Sequence, residues 1–518
     1  MSNSTQHVDA LIVNPSALNE IYQNLSHDLA AIEPPIWAAL IANHLRSRNY
    51  ATDIVDCEGL GLTVPQAVAK IDDYDARLIV IVVYGQQPSA STQNMHAASA
   101  LCSALKEAMP ERKVVLVGGH VSALPERTMR DEKADFVCQG EGPATIVGLI
   151  ETSDLDNSAQ LANVPGLWYR KDGVATFSLA AAVIPQGELD HELPGMAFDL
   201  LPMQNYRAHN WHCFDHIHAR QPYSSIYTSL GCPFRCSFCC INAPFGKSSF
   251  RFWSPEFIIT QFDTLATKYN MRNIKIADEM FVLRESHFLE LCRLLKQRNY
   301  GFNIWAYSRV DTVKPKYLQE LKDAGVNWLA LGIESKSKFV RDGVAKGRFN
   351  EDDIHRVVKE IKEAGIHVIG NYIFGLPDDN FDTMNETLEM ALEMNCEMAN
   401  FYSAMAYPGS QLYDLAVQDR IALPESWLGF SQHAYETLPL ATKFISAGDV
   451  LAFRDHAWTE YFTNPSYLSL VRAKFGDDTL HHITDMAGRS LRRKHASPID
   501  FGGLRRGFAH VAAVAAHV

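Results

Sequence analysis

The sequence predicts an α/β protein. A doubly wound parallel-sheet domain comes first, a partial (βα)6 barrel follows, and a helical region ends the chain. Three features predict this. Strand-length apolar runs alternate with helix-spaced apolar positions in two separate stretches. The runs are near-continuously apolar, as in parallel strands covered on both faces. Between the stretches, from about 161 to 221, periodicity fades and Pro165, Pro185, Pro194 and Pro202 punctuate the chain. The expected division is 1–155, a linker at 156–220, the barrel at 221–420 and a helical remainder at 421–518.

The first stretch opens with the strand DALIVN, Asp9 to Asn14. A helix around Pro35 to Arg48 places Trp37, Leu40, Ile41 and Leu45 on one face. The runs ATDIVD, ARLIVIVV, KVVLVGG and ADFVCQG complete five strands. Ligands of such sheets sit beyond the C-terminal strand ends. Asn14, Tyr84-Gly85-Gln86, Gly118-Gly119-His120 and Gly140-Glu141-Gly142 stand there. In the linker, GLWYRKDGVATFS reads as a hairpin turning at Lys171-Asp172-Gly173. The second stretch gives SIYTS, NIKIAD, FNIWAY, NWLALG, HVIGNYIF and MANFYSA. Between the first two, Ser254-Pro255-Glu256 reads as an N-cap with proline at the first helical position. Six βα units fall short of a closed barrel of eight.

The net charge is −13, which argues against a broad grip on nucleic acid. Only the C-terminal region is basic, with Arg489, Arg492, Arg493, Lys494, Arg505 and Arg506, and it reads as a solvated helical face. The N-terminal MSNSTQHVDA lacks the apolar core of a signal peptide. The longest apolar run, Leu78 to Tyr84, is strand-sized and no membrane span is expected. Ten cysteines without a framework suit a reducing, cytoplasmic setting.

Four of those cysteines fall in SLGCPFRCSFCC, Ser229 to Cys240. Structural zinc usually takes two spaced Cys-x-x-Cys pairs. Here Cys232, Cys236 and Cys239 run C-x3-C-x2-C, with Cys240 adjacent and no second pair nearby. Three thiolates on a four-iron cluster leave one iron open. The loop follows a strand at the expected barrel mouth, where active sites sit. In the linker, His209 and His212 could share a metal if helical; a polar segment over the mouth is the plainer reading.

With an aromatic residue before its last cysteine, this spacing resembles the signature of the radical S-adenosylmethionine (SAM) enzymes. The resemblance implies a [4Fe-4S] cluster on Cys232, Cys236 and Cys239. SAM would chelate the open iron and be cleaved to a 5′-deoxyadenosyl radical, fed by an electron donor such as flavodoxin or ferredoxin. Asp278 and Glu279 occupy the superfamily's amino-group motif. Ser308 and Arg309 follow the third strand, and an arginine there suits the SAM carboxylate. Glu334 follows the fourth strand, and Gly375 ends the adenine-binding strand.

The preceding domain is similar to that of the cobalamin-binding radical SAM subfamily. Gly118 and Gly119 would let backbone lie against the corrin, and Gly140-Glu141-Gly142 resembles the subfamily's next turn. The first turn, VNPSALNE, lacks the histidine that ligates cobalt in other cobalamin proteins. His120 could approach the corrin or serve only as a hydrogen-bonding residue. The family implies methylation of an unactivated carbon or phosphorus of a small molecule, plausible for natural-product synthesis. The alternatives weighed are a cyclase-like enzyme without methyl transfer and a cluster-based sensor. A methylthiotransferase would need Cys57, Cys102 and Cys138 together on a second cluster. Trp305, Tyr307, Tyr372, Tyr402 and Tyr407 are candidate pocket residues.

Overall fold

The computed structural model describes residues 6–85, 87, 89–499 and 501. Expected positions Gln86, Arg505 and Arg506 lie outside the described residues. Ala10, Leu11, Ile12 and Val13 are fully buried, so β1 (Gln6–Asn14) must lie inside a two-faced sheet. It pairs in parallel with β2 (Thr52–Asp56) and β3 (Tyr74–Val83). β4 (Val114–Gly118) and β5 (Phe136–Cys138) extend the sheet. The expected hairpin is β6 (Leu167–Lys171) and β7 (Val174–Phe177), added antiparallel at the edge. Asp172 and Gly173 both take positive φ in its two-residue turn, which matches the strands' twist. The order is β2-β1-β3-β4-β5-β6-β7.

β8 (Tyr223–Ile226) starts the second sheet. A short ribbon follows, β9 (Ser229–Leu230) against β10 (Arg251–Phe252), and brackets the cysteine loop. Then come β11 (Asn273–Ile276), β12 (Asn303–Arg309), β13 (Val326–Glu334), β14 (His367–Phe374) and β15 (Met398–Ser403). All six barrel strands are parallel, in the order β15-β14-β13-β12-β11-β8. Helices such as Pro255–Thr267 make the crossovers; Ser254 Oγ accepts from Phe257 N at 3.1 Å, the expected cap. The half-barrel's outer edge is covered by Ala447–Phe462, whose Arg454 donates to Phe401 O at 2.8 Å. Gly375 exists for this packing: with φ +82, any β-carbon there would overlap Val450 of that helix. The final helix, Pro465–Ala487, packs on the linker, where Thr479 Oγ1 donates to Phe214 O at 2.8 Å. No described helix is long and apolar enough to cross a membrane.

One apolar core runs from a face of the first sheet, through Trp37 and Phe198, into the barrel. The other face has its own core around Leu11, Ile81 and Leu116. Buried ion pairs also join the units. Glu141 meets Arg251 Nη2 at 2.8 Å, and Glu33 meets Lys275 Nζ at 3.0 Å. All four side chains are at most 6% exposed.

Candidate functional site at the barrel mouth

The cysteine loop leaves β9 through Gly231, whose φ of +81 and nearness to Ser249 O, 2.7 Å from a would-be β-carbon, demand glycine. Cys239 N donates to Cys236 O at 3.0 Å, a tight turn within the loop. Burial pushes the Cys232 thiol up to about 11. No three Cys, His, Asp or Glu side chains among the described residues close on a single-ion site. A four-iron cluster takes each thiolate on a different iron and so tolerates wider spacing. The donor set fits that group: soft sulfur ligands, apolar cover, and one cation in contact. The cation is Arg309, at the end of β12. Its Nη1 lies 3.6 Å from Cys236 Sγ and its guanidinium stacks 3.9 Å from the Phe234 ring centroid. Asp311 holds the other edge bidentately, at 2.8 and 3.0 Å.

Asp278 and Glu279 part company. Asp278 accepts from Thr228 N at 2.6 Å, Ser229 N at 3.1 Å and both hydroxyls at 2.5 and 2.6 Å. Its carboxylate is therefore consumed in bracing the strand that launches the cysteine loop. Burial still lifts it to about 6. Glu279 turns to the gap beside Tyr227, Gly231 and Cys240. Burial, with the Asp278 charge added, lifts it to about 8. At that value it is largely protonated near neutral pH, and an approaching ammonium would favour its ionised form. Ser308 is turned inward to Thr312 Oγ1 at 3.3 Å. Glu334 sits at φ +66, beside a register shift between β13 and β14, and pairs with buried Lys346 at 2.6 Å. A non-glycine residue held there stores strain, as functional positions often do.

The first sheet's C-terminal end faces this loop. Tyr84, Gly85 and Gly119 oppose Tyr227, Gly231, Cys240 and Phe245 across a gap of about 30 Å3. Gly118 is fixed by the fold, since a β-carbon would overlap Val83 O. Gly119 has only Ser91 Oγ near, at 3.3 Å, and leaves its bare side to the gap. Gly140 and Gly142 take positive φ in the next turn. Between them Glu141 is spent on Arg251 and on Ile184 N at 2.7 Å, a brace between domains. His120 is buried, with Nδ1 3.2 Å from Thr92 Oγ1 and its ring edge-on to Trp427 at 4.4 Å. Burial drives it down to about 3, so its ring is neutral. Trp37, Tyr84, Gly85, Ser91 and Gly119 line the first domain's side of this gap, and a larger space lies beside the segment after β3.

That space is a cavity of about 370 Å3 inside the barrel, reaching the first domain at Gln87, Ser89 and Gln93. Trp305, Tyr307, Tyr402 and Tyr407 line it as expected. Tyr372 does not; it is fully buried and stacks on Phe401 at 5.4 Å. Sequence reasoning missed the polar floor: Glu33 and Lys275, with His209 Nε2 at 3.7 Å from Glu33. The signal was present, a lysine inside the otherwise buried run NIKIAD. His209 and His212 do not pair on a metal; His212 Nε2 meets Asn303 O at 2.9 Å. Cys57 and Cys102 are buried in the core on one face of the first sheet and Cys138 in the core on the other, so the three do not share a second cluster. The basic C-terminal residues are not simply a solvated face. Arg489 grips Asp28 and Arg493 grips Asp455, holding 488–491 along the cavity wall.

The comparisons agree with this geometry. Residues 226–391 match the radical SAM superfamily and 25–150 the B12 binding domain. An uncharacterized methyltransferase, PH0819, of Pyrococcus horikoshii is 27% identical over 84% of this chain and 89% of its own. The anaerobic magnesium-protoporphyrin IX monomethyl ester cyclase of Rubrivivax gelatinosus is 23% identical, over 86% of this chain and 77% of its own. The radical SAM methyltransferase TsrM of Kitasatospora setae, solved with cobalamin and a [4Fe-4S] cluster, superposes with a TM-score of 0.64 at 15% identity. The match covers 93% of this chain and 99% of that one. The chain thus carries a B12 binding domain within 25–150 and a radical SAM domain within 226–391, with the cysteine loop at the head of the second.

Proposed function

We propose that the protein is a cobalamin-dependent radical SAM methyltransferase that methylates an unactivated carbon or phosphorus of a small molecule. The observation that carries this is the facing of the cysteine loop and the first domain's glycine-lined strand end across one gap, beside an aromatic cavity. Cys232, Cys236 and Cys239 would hold the [4Fe-4S] cluster, and the strand ends at Tyr84-Gly85 and Gly119 would border cobalamin. When bound, these groups and SAM supply hydrogen-atom abstraction and a methyl donor, the chemistry that an inert centre requires.

The chain's own residues bind, orient and shield. Glu279 would meet the SAM ammonium, and Glu334 with Lys346 fixes the neighbouring strand end. Arg309 neutralises charge beside Cys236 and offers Nη1, the edge that Asp311 leaves open. Asp278 positions the loop rather than touching SAM. Phe234 stacks under Arg309 and Phe238 packs beneath the loop, which gives the thiols apolar cover on their inner side. The cavity suits a small molecule by volume and walls. Its aromatic rings orient a substrate, and the Glu33–Lys275 pair gives it one polar end to meet.

A cyclase-like reaction on the same cofactors is the second reading, favoured by the likeness to the Rubrivivax enzyme. The test is to incubate the reduced, cobalamin-loaded protein with SAM carrying a trideuterated methyl group. Labelled methylcobalamin with S-adenosylhomocysteine supports methyl transfer. Unlabelled cobalamin, with SAM nonetheless cleaved, supports the cyclase-like reading.

A further inference from the structure

We infer that the face formed by the helix Lys338–Gly343, the loop after it and the Lys443-Phe444 turn is where an acidic one-electron carrier protein docks to reach the cluster. The inference rests on the radical SAM reading, because only a cluster needing an electron gives this face a purpose.

Exposed apolar side chains mark a binding surface when they gather on one face rather than lie scattered. Phe339 is 69% exposed and Phe444 is 66% exposed, more than any other aromatic side chain among the described residues. The two belong to one face. Residues four apart share a side of a helix, so Phe339 lies on the side that Gly343 presents. Gly343 abuts Asp378, which is ion-paired with Lys443, the neighbour of Phe444.

This face borders the cysteine loop directly. Ser237 N donates to Val344 O at 3.1 Å, and Cys236 Sγ approaches Ala345 O at 4.0 Å. Cys239 is exposed and Cys236 half-buried, so the loop's outer edge meets solvent here. Beneath, Phe238 packs with Val340 and Val344, a short bridge from face to thiols.

Charge selects the partner. The chain carries a net −13, yet this rim is cationic. Lys338 and Lys443 are matched by Asp342 and Asp378. Arg235, between two of the cysteines, and Arg348 are exposed and have no acidic partner among the described residues. Two unmatched guanidinium groups, one on the cysteine loop and one on the loop after the helix that carries Phe339, complement an acidic surface. One electron leaves the carrier and enters the cluster, and no bond need form between the proteins.

The experiment uses the full chain, reconstituted with iron, sulfide and cobalamin, and flavodoxin as the acidic carrier. Binding of oxidised flavodoxin is measured by calorimetry for wild type, Phe339→Ser and Arg348→Glu, which does not depend on turnover. Formation of 5′-deoxyadenosine is then driven by reduced flavodoxin or by dithionite. Each variant should bind flavodoxin about tenfold more weakly, and wild-type binding should weaken as salt rises. The flavodoxin-driven rate should fall with binding while the dithionite-driven rate stays within about twofold. Unchanged flavodoxin binding in both variants overturns the inference. So does an equal fall with both reductants, which marks a structural defect. A chain ending at Phe501 that binds flavodoxin about tenfold better would make the tail the resident of this face and overturn it too. Loss of a dimer on Phe339→Ser would assign the face to a second copy. Failure of dithionite with wild type would instead sink the radical SAM reading, whatever flavodoxin binds.

Discussion

Replacing Lys275 by methionine isolates the carboxylate of Glu33 beneath the cavity. The two side chains are each 3% exposed, with Nζ to oxygen distances of 3.0 and 3.2 Å. At an effective dielectric near 20, charges 3 Å apart attract by about 5 kcal/mol. Much of that only offsets their desolvation, so the measured loss should be about 3–5 kcal/mol. Burial by itself would raise the Glu33 carboxyl, but Lys275 and His209 more than offset it and hold it below the usual range. Without Lys275 the burial effect prevails and the folded-state value rises above the unfolded one. The penalty of Lys275→Met is therefore small near pH 5, where Glu33 can take a proton, and grows as pH rises. Urea unfolding followed by circular dichroism at pH 5.5 and 7.5 measures it. The double variant Glu33→Gln/Lys275→Met should recover most of the loss, since no charge is left buried. A loss under about 1 kcal/mol at pH 7.5, or an equal loss at both pH values, would refute the reasoning.

Four further outcomes follow from other contacts. Cys232→Ala and Cys239→Ala should abolish stoichiometric iron binding, while Cys240→Ala, whose thiol faces Gly409 and the interdomain gap, should keep it; iron assay and electron paramagnetic resonance decide. His120→Ala should leave the paramagnetic resonance spectrum of bound cob(II)alamin unchanged, because that ring is packed beneath Trp427; loss of a nitrogen coupling would make it a cobalt ligand. Arg493→Ala should cost about 2–4 kcal/mol, because its buried guanidinium serves Asp455, Gln432 O, Ala434 O and Thr437. Asp28→Asn should cost under about 1 kcal/mol, because its pair with Arg489 is half open to solvent; urea unfolding compares the two.

The strands were legible because burial on both faces leaves no alternative to an apolar run. Ala10 to Val13 and Leu78 to Val83 show this plainly. The cysteine loop was legible because metal chemistry constrains spacing along the chain. What stayed hidden was pairing between distant segments. Nothing around Glu141 announces Arg251, 110 residues away, so its resemblance to a turn motif concealed a domain brace. Gly375 looked like room for a ligand and proved to be room for Val450. The basic C-terminal run looked solvated because its acidic partners, Asp28 and Asp455, lie elsewhere in sequence. Asp278 and Glu279 are adjacent, so only the fold could show that one braces backbone while the other faces the gap.

The central claim is that Cys232, Cys236 and Cys239 carry a cluster that cleaves SAM beside cobalamin. The direct measurement is anaerobic incubation of the protein, reconstituted with iron, sulfide and cobalamin, with SAM and a strong reductant. Mass spectrometry then reads 5′-deoxyadenosine and S-adenosylhomocysteine for wild type and Cys236→Ala. The account predicts both products from wild type and no 5′-deoxyadenosine from the variant. Equal 5′-deoxyadenosine from both proteins, or none from wild type with its cluster intact, would contradict it.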